Sequence, residues 1–277
     1  AEIGFATTDN AFKVLPSFTG GILGYTEHPV EVRNCEGAAY INVNNANAKE
    51  NGIFTATGGI VGAVKGTAAL IEKCHVTADM RHYQYNNTWD DPLSAANGGG
   101  IVGCALGADG VNRIAITGCS CSGMVESKRS GAAGIVGYAR FSDISDCGFT
   151  GGIEGSGPHF AGGIAGTFSG YSMIYPVVME IPAYMDGCYA LVETDFSLSG
   201  GTARGVAGAS EAALLNGVFW GSTQDGVSEP LPDSKAFASL DQSGFEAAIA
   251  ASMMAQLVQV GYTYDTSLGH PVLTGAR

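Results

Sequence analysis

The chain has 277 residues, 42 of them glycine, with 26 acidic against 13 basic side chains and a formal net charge of −13. That acidic surplus, with no basic cluster to offset it, argues against nucleic acid or an anionic membrane surface as a partner. Nine prolines and no three-residue glycine period exclude collagen and low-complexity disorder. No apolar run reaches the ~18 residues that a spanning helix needs, so no membrane insertion is expected. The length suffices for one large β domain or two ordinary ones, and the chain opens at Ala1 without a basic-apolar leader.

Residues 1–19 precede the first copy of a repeated block. The block reads GGILG ending at Gly24, GGIVG at Gly62, GGIVG at Gly103, AGIVG at Gly137, GGIAG at Gly166 and RGVAG at Gly208. Each copy is followed by a short motif ending in cysteine: VRNC at Cys35, IEKC at Cys74, ITGC at Cys119, ISDC at Cys147 and MDGC at Cys188, with Val218 in that place in the sixth copy. Internal repetition of this kind is read before secondary structure, because it fixes the architecture.

The residue before each of these positions is Asn34, Lys73, Gly118, Asp146, Gly187 or Gly217, mostly types that tolerate a left-handed or turn conformation, so a corner is expected there. After the cysteine the even positions are small or apolar: Gly37, Val76, Cys121, Phe149, Ala190 and Trp220, then Ile41, Met80, Val125 and Ile153. Alternation with period two predicts strands with the cysteine on the buried face. Each unit reads as strand, turn, strand, corner, strand.

The central aliphatics at 22, 60, 101, 135, 164 and 206 are spaced by 38, 41, 34, 29 and 42 residues. A three-sided coil of short strands takes roughly 20 to 25 residues, so the excess leaves as loops of unequal length. Six coils at about 4.8 Å each build a rod roughly 29 Å long, its interior filled by ladders of Ile, Val and Cys. Seven cysteines cannot all pair internally, and neither CxxC nor a zinc spacing is present. The repeated thiols read as core filling, with an occasional bridge through Cys104 left open.

Two insertions interrupt the coils. RHYQYNNTWDDPLSAANG, residues 81–98, carries Tyr83, Tyr85 and Trp89 beside Asp90 and Asp91, a mixture suited to stacking on sugar rings and bonding their hydroxyls. The segment 167–186 carries Tyr171, Tyr175 and Tyr184 among aliphatics, and Tyr171 and Tyr175 join the candidate ligand contacts. Packing of either loop on its own scaffold is the plainer expectation.

The glycine blocks and the IxxC-type motifs resemble the GLUG motif, found in bacterial surface and secreted proteins, adhesin-like proteins of gut Bacteroidetes among them. The resemblance covers roughly residues 20–222, with Arg204 and Val218 departing from it in the last copy. It implies an all-β chain built as a right-handed parallel β-helix (β-solenoid) of about six coils, an extracellular or outer cell-surface setting, and no catalytic residues, since the motif's positions are core positions.

Past residue 222 the pattern changes. Ser243 and Glu246 are placed as a capping box before Phe245, Ile249, Met253 and Leu257 at helical spacing, predicting a helix that closes the end of the coil stack. The organisation expected is a GLUG-like solenoid over 1–222 and a C-terminal cap over 223–277. GGGIVG at 98–103 matches a dinucleotide fingerprint only by letter, and no metalloprotease, nucleophile-elbow or P-loop pattern occurs, so no cofactor and no metal are expected. The histidines, His28, His75, His82, His159 and His270, fall at unrelated repeat positions and are expected on the surface or in loops. A β-helix lyase or glycosidase would need gathered carboxylates, for which Asp143, Asp146 and Asp186 are the candidates. The favoured function is a non-enzymatic adhesion or binding module for a glycan or a surface protein, ahead of a structural spacer and of catalysis.

Overall fold

The computed structural model describes residues 2–6, 18–45, 55–84, 96–128, 130–156, 160–174, 177–192, 198–199, 202–222, 231, 233–250 and 262–273. They form a parallel β-solenoid in which each of the first five coils contributes to five sheets and the sixth, among the described residues, to four. The second coil sets the pattern with strands Thr55–Gly58, Val61–Lys65, Ala69–Glu72, His75–Val76 and Met80–Gln84. We number the sheets 1 to 5 in that order. Sheet 4 has seven strands and the others six.

Gly20, Gly58, Gly99, Ala133, Gly162 and Arg204 stand in one row of sheet 1. The unequal spacing read from the central aliphatics is therefore the true coil length, and the surplus residues leave as loops. The central aliphatics themselves form a backbone ladder. The carbonyl of Ile60 accepts the N–H groups of Ile22 and Leu23 at 2.9 and 3.1 Å, and Ile101, Ile135, Ile164 and Val206 each accept two N–H groups from the coil before in the same way.

The coil is not the three-sided tube with a side-chain interior that the repeat suggests. The glycine block folds sharply at Gly59-Ile60, and the strands on either side of it, sheets 1 and 2, are buried on both faces in the inner coils. One face of sheet 1 meets sheet 5, where Thr57 Oγ1 lies 2.5 Å from His82 Nδ1. Between sheets 1 and 2 lie Ala56, Ala63, Cys104, Leu106 and Tyr138 as a separate apolar cluster. The far face of sheet 2 joins Val61 and Val64 to the main core with Ile71 and Cys74. The tip of this inner hairpin reaches sheet 4, where a β-carbon on Gly134 would lie 2.0 Å from Phe149 Cγ and 2.4 Å from the Gly163 carbonyl oxygen. Glycine is required because backbone, not side chain, fills the middle of the coil. Sheets 3, 4 and 5 are the outer walls.

The post-cysteine segment also divides in two. His75–Val76 belongs to sheet 4 and Met80–Gln84 to sheet 5, so the alternation that reads as one strand turns a corner between Val76 and Met80. The corner before the cysteine is as expected: Asn34, Lys73, Gly118, Asp146, Gly187 and Gly217 all have φ between 51° and 63°. It turns the chain from sheet 3 to sheet 4. There the thiol of Cys147 donates to the Ser145 carbonyl at 3.2 Å and to the Ile116 carbonyl of the coil before at 3.5 Å. Cys74, Cys119 and Cys188 repeat the arrangement. All seven cysteines are free, Cys104 included. Burial pushes Cys121 up to about 12 and Cys147 well above the ordinary thiol range, so these groups stay protonated and act as compact fillers with a weak donor.

His82 overturns the expectation of a surface histidine. It points into the coil from sheet 5, fully buried between Thr55 and Thr57. Burial lowers it to about 4, so it is neutral at physiological pH.

After the last coil, Ser234–Ala236 adds a seventh strand to sheet 4. The helix α1, Gln242–Ala250, is capped by Asp241, whose Oδ1 accepts the Gly244 N–H at 2.7 Å. The expected Ser243–Glu246 box is displaced because an aspartate two residues earlier offers a better Asx acceptor. Phe245 and Ala248 join Phe237, Leu240, Tyr189, Leu191 and Phe219 in a second core. Tyr189 and Phe219 alternate with the inward Ala190 and Trp220, so this core lies on the outer face of sheet 4. Among the described residues the helix thus flanks the stack, and only the added strand extends it. Met253 and Leu257 lie outside the described residues.

Candidate binding site

Sheet 5 turns Ile41, Met80, Val125 and Ile153 inward and presents the next register row outward: Asn42, Arg81, Glu126 and Glu154. Two residues further along the strand lies Tyr83, next to Asn44 on one side and Lys128 on the other. In-register stacking therefore converts four equal repeat positions into one polar row, its members about 4.8 Å apart.

Arg81 and Tyr83 both engage Glu126. The Arg81 Nε–H donates to Glu126 Oε2 at 2.5 Å, the Tyr83 hydroxyl donates to Oε1, and the guanidinium stands 5.2 Å from the centre of the Tyr83 ring. Burial alone would lower the Arg81 pKa, but the bond to Glu126 and its charge, followed by Tyr40 and Glu154, hold it above the ordinary value. Glu126 is largely covered, and both its oxygens are engaged. Glu154, one coil on, is exposed. Asn42 keeps a buried side-chain oxygen without a donor. The result is a half-buried tyrosine ring clamped on a rigid wall.

The strand carrying Arg81 and Tyr83 ends at Gln84, so this clamp is the root of the first insertion. Tyr85, Trp89, Asp90 and Asp91 lie outside the described residues, as does Tyr175. Tyr171 is placed, but elsewhere. It opens a hairpin, Tyr171–Ile174 with Val177–Glu180, inserted between sheets 2 and 3 of the fifth coil. Tyr83 and Tyr171 are thus on different corners and three coils apart, and the structure does not bring them together. The hairpin's exit packs on its own scaffold: Arg113 donates to the Pro182 carbonyl at 3.0 Å, and a β-carbon on Gly110 would touch Ile181 at 3.7 Å.

The outer face of sheet 3 repeats the clamp. Arg113 donates to Asp143 through Nε at 2.8 Å, and its guanidinium stands 5.3 Å from the Tyr184 ring centre. Tyr184 and Leu214, neighbours in one register row, are exposed. Of the three carboxylates considered for catalysis, Asp143 is held by Arg113 and Asp186 accepts from the Asn216 amide at 2.6 Å. Asp146 sits at the left-handed corner, with its N–H on the Asp186 carbonyl at 2.9 Å. The side chains belong to different repeat rows, Ser145 being the register partner of Asp186. Among the described residues no three His, Cys, Asp or Glu side chains are grouped to hold a metal, and no helix is long and apolar enough to cross a membrane.

Arg81 and Glu126 were not singled out as site residues, yet the signal was available. Asn42, Arg81, Glu126 and Glu154 each stand seven positions after their coil's cysteine. Aligning the copies on that cysteine stacks them in one row. No family model, no curated protein and no solved structure matches the chain.

Proposed function

We propose that the chain is a non-catalytic, extracellular binding or adhesion module whose ligand surface is the outer face of sheet 5 with the insertion rooted there, and whose ligand is a neutral glycan. The observation that carries this reading is the Arg81–Glu126–Tyr83 clamp, which fixes an aromatic ring and spends both oxygens of the central carboxylate on holding it. A tyrosine face beside a guanidinium and the Asn42 amide suits a sugar ring. The chain's net charge of −13 disfavours polyanionic polymers. The repeat's resemblance to the GLUG motif supports the same setting.

Affinity electrophoresis through gels containing a panel of neutral and acidic polysaccharides, with sizing of the recovered polymer, tests the reading. Retarded migration in a neutral polymer of unchanged length, abolished in Tyr83→Ala and in Trp89→Ala, is expected. Retention of full retardation by both variants would move the ligand away from sheet 5. Shortened polymer would replace adhesion by hydrolysis or lysis, with the exposed Glu154 as the first carboxylate to change.

A further inference from the structure

The first coil is built to be covered, and the described chain does not cover it. Its central Ile22 is 60% exposed, whereas Ile60, Ile101, Ile135, Ile164 and Val206 at the same position are completely buried. In each later coil the carbonyl of this residue accepts two N–H groups from the coil before, and the Ile22 carbonyl receives none among the described residues. Ile22 also lacks the contact its equivalent enjoys: Ile60 Cδ1 comes within 3.4 Å of where a β-carbon on Gly37 would lie, in sheet 4 of the preceding coil. Tyr25, in the row of the buried Ala63, Cys104 and Tyr138, is exposed at its own edge. One side of a preceding layer is present, since Glu2–Ala6 already pairs with Tyr40–Asn45 in sheet 5. Sheets 1 to 4 end at the first coil.

We propose that this edge is a docking site for an extended polypeptide segment carrying the same Gly-Gly-aliphatic-aliphatic-Gly block, which adds to sheets 1 and 2 as a parallel strand pair. The register follows from the coils. The two aliphatic N–H groups of the incoming block donate to the Ile22 carbonyl. Its second glycine rests on the Gly21 carbonyl, as Gly59 rests on that of Gly100, where a β-carbon would come to 2.2 Å. No other residue fits that place, so the site discriminates by backbone approach, and main-chain hydrogen bonds supply the affinity. A lysine three residues past the block, as Lys65 follows Gly62 in the second coil, falls beside Glu27, which is exposed and accepts from the Tyr25 hydroxyl.

The probe is a fluorescent peptide with the sequence of residues 55–65, TATGGIVGAVK, titrated with the full chain and followed by anisotropy. Saturable binding is expected. It should weaken at least tenfold for a peptide with valine at its second block glycine, and equally for the Ile22→Arg chain, whose exposed position leaves the fold intact by circular dichroism. Equal binding of the valine peptide, or no binding at all, overturns the proposal. A dimer in sedimentation that Ile22→Arg abolishes while the peptide fails to bind assigns the edge to a second copy instead.

Discussion

The inner hairpin of sheets 1 and 2 and the outer walls of sheets 3, 4 and 5 are made from the same repeats, yet they obey different rules. In the hairpin, both faces of each strand are buried, backbones approach closely, and glycine or alanine occupies the row of Gly58, Gly99, Ala133 and Gly162. In the walls one face is buried and the other free, except where the second core covers the outer face of sheet 4, so Ile71, Ile116 and Ile144 in sheet 3 alternate with outward Glu72, Thr117 and Ser145. The hairpin is therefore intolerant of change and carries the fold. The walls tolerate change and offer surface for binding.

That contrast breaks most sharply at Gly134. The change Gly134→Ala places a methyl 2.0 Å from Phe149 Cγ and 2.4 Å from the Gly163 carbonyl oxygen, and it is expected to cost more than about 4 kcal/mol in chemical denaturation. Glu154→Gln on the wall should stay within about 0.5 kcal/mol. Comparable losses in the two variants would erase the distinction.

The next effect concerns His82, neutral and buried against the hairpin. Its folded value near 4 lies below the unfolded value near 6.5. The unfolded chain therefore takes up the proton first as pH falls. Its contribution is complete above pH 6.5 and is lost as pH drops toward 4, by roughly 3 kcal/mol. Urea unfolding at pH 7, 5.5 and 4 measures this, and His82→Gln should flatten that part of the profile.

A smaller loss is expected on the inner face of the walls, at the corner between sheets 3 and 4. Cys147→Ala removes a buried sulfur and its two weak donations, for about 1 to 2 kcal/mol by the same assay. Cys147→Val should be milder, since Val218 already fills this repeat position in the sixth coil. The smallest effect is Arg81→Ala. Its side chain is 41% exposed, so solvent screening holds the stability loss below about 1 kcal/mol. The proposed ligand affinity should nevertheless fall about tenfold in titration calorimetry, because Tyr83 loses its clamp.

Much of this was legible from spacing alone. The blocks fixed the coil lengths, and Asn34, Asp146 and the glycines Gly118, Gly187 and Gly217 marked the corner because few residue types sit readily at positive φ, Lys73 being the exception. What escaped was the direction of the fold at the glycine block. Strands buried on both faces have no alternation to read, so Thr55–Gly58 and Val61–Lys65 looked like parts of an outer wall rather than an inner hairpin. The cap helix was found but misaimed, because Tyr189, Leu191 and Phe219 show their outward apolar character only once the inward partners Ala190 and Trp220 are known. Of the candidate contacts, Tyr83 was read as part of the insertion loop, whereas it stands on the wall strand Met80–Gln84 from which that loop leaves. The partner that holds it, Glu126, lay 43 residues away and became visible only through coil register.

Hydrogen exchange resolved by residue tests the central claim most directly. If the inner hairpin holds the coil together, the amides of 56–64, 97–106 and 131–139 exchange only through global unfolding, with sheets 3 and 5 opening at lower free energy. Equal or weaker protection of the hairpin relative to those walls would contradict it.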